Sequence, residues 1–98
     1  MKSPRECRNL TDVRAAVNAI DRDIIRLLGQ RTKYALAALA FKTDLKQIAQ
    51  PAHRRKLFAQ RKLWAATHGV DQKLVGNIYQ AIVDESERVH LAGFRARR

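Results

Sequence analysis

The 98 residues include 20 lysines and arginines against 9 aspartates and glutamates, a formal net charge of +11, with 46% apolar and 30% charged residues. This length and balance suit one small domain, residues 1–98, with a core of its own, and exclude disorder by composition. No apolar run approaches the roughly 18 residues of a membrane helix, so no membrane partner is expected, while the charge calls for anionic partners of some kind.

The opening MKSPRECRNL is polar and lacks a signal-peptide core. Cys7 stands alone, without metal-ligand neighbours at usable spacing. A reducing, cytoplasmic location is the expectation. Thr11 is placed to cap a first helix, with Asp12 in its first turn. Apolar residues then recur as Val13, Val17, Ile20, Ile24, Leu27, Leu28, Ala35 and Leu39, which predicts helix to about Lys42. Gly29 costs about 1 kcal/mol there relative to alanine, which the long flanks absorb.

TDLKQIAQ reads as a loop, and Pro51 suits the first turn of a second helix carrying Leu57, Phe58, Leu63 and Trp64. Gly69 is a fitting residue just past its end. Asp71 caps a third helix whose apolar face is Val75, Ile78, Tyr79, Ile82, Val89 and Phe94. No alternating strand pattern occurs. The expected fold is all-α: three helices, the first of them long. Basic residues gather at Arg54, Arg55 and Lys56 and again at Arg95, Arg97 and Arg98.

The first helix, some 31 residues at 1.5 Å each, would be about 46 Å long. A compact chain of this size has a radius of gyration near 13 Å, so its own two shorter helices cannot cover that stripe. A second copy can, which predicts an intertwined homodimer forming a helical bundle.

Charges interrupt the stripe. Arg31 and Lys42 are eleven residues apart, within roughly 20° of one another on a helix and about 16 Å along it. Ala35, Ala38 and Leu39 lie between them, the alanines leaving space where leucines would fill it. An unpaired buried cation costs several kcal/mol. Arg14 lies some 25 Å from Arg31 on the same helix, too far to join one small site in its own chain, although a neighbouring chain could deliver it. On the third helix Ser86 and His90 continue the stripe of Tyr79 and Ile82 as two hydrogen-bonding groups. Together these residues suggest a polar pocket for a small molecule with more than one negative charge. Two blander readings stand beside it: arginines that snorkel to the surface, and a satisfied serine–histidine pair. A different class of function, a basic helical nucleic-acid-binding protein, fits the charge but lacks a helix-turn-helix signature or a base-stacking aromatic set.

The same residues carry a family likeness. The chain resembles the all-helical class of chorismate mutases, and within it the isochorismate–pyruvate lyases of salicylate biosynthesis, most densely through MKSPRECRNLTDVRAAVNAIDRDIIRLLGQR. Arg14, Arg31 and Lys42 stand at the family's cationic spacing of 17 and 11. The resemblance implies intertwined helical dimers, a small dianionic substrate (chorismate or isochorismate), no nucleic-acid partner, and pericyclic chemistry that needs neither cofactor nor metal. It implies that Arg14 reaches a carboxylate in the partner's site. Arg31 would hold the other carboxylate, and Lys42 would contact a carboxylate and the ether oxygen. Ser86, in DESERVH, would lie near a carboxylate.

The chain departs from the family in three places. His90 stands where glutamine usually donates to the ether oxygen. An imidazolium donates from either nitrogen, whereas a neutral ring needs the right tautomer. A donor role therefore predicts activity that increases toward acidic pH. Gln50 stands where mutases place an acidic residue for the substrate hydroxyl, and Arg54 near a glutamate position, both expected to face substrate. The implied reaction is the rearrangement of chorismate to prephenate. The alternative is release of salicylate and pyruvate from isochorismate.

Overall fold

The structure is a computed structural model that describes residues 1–96, for Ala49 the backbone alone. Arg97 and Arg98 of the basic tail lie outside the described residues. After a 3-10 turn at Pro4–Glu6 come four helices: α1 (Leu10–Leu39), α2 (Lys46–Ala49), α3 (Pro51–Thr67) and α4 (Gln72–Ala96). No strand occurs among the described residues, as the sequence predicts. The chain divides into two compact units, Met1–Tyr34 and Ala35–Arg98.

In the first unit the helix begins earlier than Thr11 suggests. Asn9 is the capping residue, its Oδ1 accepting the Asp12 N–H at 2.8 Å. The Asp12 carboxylate reaches back to the Arg8 N–H and the Lys2 ammonium, each at 3.1 Å. One donor three residues into the helix is thus satisfied from Asn9, and the carboxylate complements the positive helix end. Along this unit Val13, Val17, Ile20, Ile24, Leu27 and Leu28 are all exposed, from 38% to 52%.

In the second unit α3 and α4 form an antiparallel pair. The end of α3 meets the start of α4, where the Gln72 amide donates to the Lys62 carbonyl at 3.0 Å. The turn between them follows from Gly69, whose φ of 68° is a left-handed conformation open to glycine at little cost. The Val70 N–H then bonds the Ala65 carbonyl at 2.8 Å and the Gly69 N–H bonds Ala66 at 3.3 Å, a Schellman ending. Asp71 caps α4 through the Leu74 N–H at 3.0 Å.

The opposite end of the pair is clamped by Arg54. Its guanidinium spans Asp84 at 2.5 Å and Glu87 at 3.2 Å on α4, and lies over the Phe58 ring. Arg61, two turns later, sits between aromatic faces, 4.8 Å from the Trp64 ring centre and 5.6 Å from that of Tyr79. Two of the chain's many cations are therefore spent on holding helices together.

The segment read as a loop contains α2. Gln47 and Asp44 exchange bonds: the Gln47 N–H reaches Asp44 Oδ1 at 3.2 Å, while Gln47 Oε1 accepts from the Asp44 N–H at 3.4 Å and from the Thr43 N–H at 2.5 Å. That exchange orders one helical turn, which packs on α4 and buries Ile48 to 7% exposure. The turn stops because Gln50 precedes Pro51 and so disfavours the helical region; it takes φ 24°, ψ 68°.

The last part of α4 packs on the end of α1. A methyl group added at Gly93 would fall 2.5 Å from Leu39 Cδ2, closer than van der Waals contact. Gly93→Ala must therefore displace the end of the Leu39 side chain; set against the roughly 1 kcal/mol that alanine gains over glycine in a helix, it is expected to lower unfolding stability by up to about 2 kcal/mol in denaturant titration. A gain of about 1 kcal/mol, the helix-propensity value alone, would contradict a tight contact with Leu39.

Arg54 supplies a second test. Its hydrogen bond holds the Asp84 carboxyl below the usual carboxylate range, with Gln80 adding to the effect. A carboxyl depressed in the folded chain lends stability above its unfolded-state value, and that stability is lost as pH falls through the folded one. Arg54→Ala should lower the thermal midpoint at about pH 7 and lower it less at about pH 2, where the carboxylates are protonated in either state. Equal losses at both pH values would contradict an electrostatic clamp.

Candidate active site

Helix α1 stays regular only to Leu39. Its end tightens: the N–H groups of Ala40, Phe41 and Lys42 donate three residues back, to Ala37, Ala38 and Leu39, at 3.3, 3.1 and 3.1 Å. Each tightened step turns the chain by more than 100°, so Lys42 leaves the helical stripe that the sequence assigned to it. It sits half-buried at the start of the segment leading to α2.

There Lys42 meets α4. Its Nζ lies 3.4 Å from His90 Nδ1, and on the far side of the ring Nε2 lies 2.6 Å from the Ala35 carbonyl oxygen. A backbone carbonyl has two lone pairs, so that of Ala35 can serve its helix and the imidazole together. The space that Ala35 leaves beside it is filled by the ring. His90 is 7% exposed and is the buried polar side chain among the described residues. Ser86, one turn earlier on α4, is half-buried and engaged. An open groove of about 560 Å³, lined by Thr43, Asp44, Leu45, Lys46 and Phe94, adjoins this corner of the unit.

The other expected site residues are placed as follows. Gln50 is exposed at the junction of α2 and α3. Arg54 is committed to Asp84 and Glu87, so its guanidinium serves the α3–α4 pair in this structure rather than standing ready for a carboxylate. In the first unit Arg14 is exposed, and Arg31 is half-buried and engaged. Lys42 and His90 are the two that the second unit brings together.

Two participants escape sequence reasoning. The Ala35 carbonyl carries no signal in a residue name, because any residue would supply it. Gly93 does leave a trace, since a glycine inside a helical pattern often marks a close approach of backbones. Chemically, the corner offers an ammonium aimed by a buried ring, a device for stabilising negative charge in a partly screened setting.

Comparison with known proteins agrees with this chemistry. The family profile of chorismate mutase type II matches residues 13–91. The chain is also similar to an isochorismate pyruvate lyase of Pseudomonas aeruginosa, 35% identical over 83 residues that span 85% of this chain and 82% of the relative. No helix among the described residues is long and apolar enough to cross a membrane. The match to the profile spans most of the chain, from the first turns of α1 to just past His90, and places the protein in the chorismate mutase type II family.

Proposed function

We propose that the chain catalyses the pericyclic rearrangement of chorismate to prephenate, as a homodimer and in the cytoplasm. The observation that carries this reading is the half-buried Lys42 ammonium, held against a buried imidazole in a chain of this family. The substrate is a dianion. Arg31 and the partner chain's Arg14 take its carboxylates, Ser86 lies near one of them, and Lys42 faces the ether oxygen of the breaking C–O bond.

The work required is of two kinds. The substrate must be held folded, with the bond-forming ends in contact, and fixed cations achieve this by restricting its conformers. Charge that develops on the ether oxygen must then be met by a preorganised donor, which in a screened site supplies the larger share. Proton transfer, covalent attachment and redox change are not part of such a step. The dimer is supported by α1, whose apolar residues from Val13 to Leu28 are exposed in the single chain.

A second reading is elimination of pyruvate from isochorismate with formation of salicylate. The name of the Pseudomonas relative favours it. So does the segment around Gln50 and Arg54, which offers no carboxylate to take a substrate hydroxyl. The two readings share every cation and differ in the substrate that the pocket accepts.

Incubating the purified chain separately with each compound distinguishes them. Prephenate from chorismate supports the mutase, and salicylate with pyruvate at higher kcat/KM from isochorismate supports the lyase. In either case Lys42→Ala should lower kcat by roughly 10²–10³-fold. A folded chain that converts neither compound, or a Lys42→Ala loss below about threefold, would contradict the proposal.

A further inference from the structure

The family's usual glutamine suggests that residue 90 donates to substrate, but both nitrogens of the His90 ring already have partners within the protein. A carbonyl oxygen only accepts, so Nε2, 2.6 Å from the Ala35 oxygen, carries the proton. An ammonium only donates, so Nδ1, 3.4 Å from Lys42 Nζ, presents its lone pair. With the ring buried between α1 and α4, neither nitrogen has an N–H left for a ligand.

We infer that His90 is a positioning residue: a neutral, Nε2-protonated imidazole, anchored on the Ala35 carbonyl, that accepts from Lys42 and so aims its ammonium. The inference deepens the proposed function and rests on it, because what is aimed is the cation assigned to the breaking C–O bond.

Protonation undoes the arrangement. An imidazolium carries N–H on both nitrogens, so Nδ1 would turn a donor and a positive charge toward Lys42. Of the charged groups on the neighbouring elements, Glu87, a turn earlier on α4, is tied to Arg54 of α3 at 3.2 Å; Asp44, two residues past Lys42, accepts the Gln47 N–H at 3.2 Å; and Lys46 on α2 is itself cationic and exposed. Acid should therefore release Lys42 and lower activity, the opposite of what a donor to substrate would do.

Two measurements on the full chain test this. Long-range proton–nitrogen correlation spectra of the ¹⁵N-labelled, substrate-free protein at about pH 7.5 report the ring directly, with His90→Gln assigning the signals. The expected result is an Nε2-protonated ring whose Nδ1 resonance moves in Lys42→Met while Nε2 keeps its proton. An Nδ1-protonated or averaging ring, or an Nδ1 signal indifferent to Lys42→Met, would overturn the inference. The second is kcat/KM across about pH 5–8, which should decline toward acid by at most roughly tenfold per pH unit. His90→Gln should flatten that profile, and His90→Phe should lower kcat about tenfold or more with little change in KM. A profile rising toward acid, or one identical in wild type and His90→Gln, would also overturn it. The spectra need no substrate, so a chain that turned over neither compound would refute the proposed function while the ring's role was still decided.

Discussion

The apolar stripe of α1 has too little within the chain to cover it, and the remaining features follow from that constraint. Only Ile48 and Ala65 are buried apolar residues among those described, and Val17, Ile20 and Ile24 are each close to half exposed. Fully burying such a side chain is worth about 1.5–3 kcal/mol, so a row of them left in water forfeits much of a small domain's stability. A second copy would supply the missing surface without further sequence. Sharing a site between copies, as proposed, would then carry little extra cost, because the helices that hold the cations would be the helices that pair.

Net charge takes on a different meaning once partners are assigned. A charge of +11 alone points to polyanions, yet Arg54 is closed onto two carboxylates and Arg61 onto two aromatic faces. These cations contribute packing as much as charge. What distinguishes Lys42 is its neighbour, a buried imidazole ring 3.4 Å from its ammonium, which can orient the cation without bringing a negative charge of its own. A carboxylate in the place of His90 would orient it equally well and cancel its charge.

Helix type and order could be read from apolar spacing, and the α3–α4 turn could be read in detail because Gly69 and Asp71 each have a specific backbone task. Thr11 misled, since Asn9 two residues earlier offers a better oxygen to the same helix end. The four-residue α2 escaped because one helical turn has no periodicity to detect. Its signal was the Asp44–Gln47 pair, reciprocal bonding at three-residue spacing. Lys42 and His90 were visible as breaks in apolar stripes and were expected in one pocket, but the manner of their meeting was not visible. It depends on the tightened end of α1 and on a main-chain oxygen at Ala35, and neither is written in side-chain identities. The tautomer of His90 is illegible for the same reason: it is set by what the ring touches, and the sequence names only the ring.

The central claim is a site completed by two chains, with Arg14 delivered by one and Arg31 by the other. Mixing Arg14→Ala with Arg31→Ala protein tests it most directly, with exchange of subunits confirmed by native mass spectrometry on chains of different tag length. Half the dimers would be mixed and each would hold one intact site, so activity should recover to about a quarter of the wild-type value from two nearly inactive parents. Exchange without any rise above the parents would contradict a shared site and place both arginines in the service of a single chain.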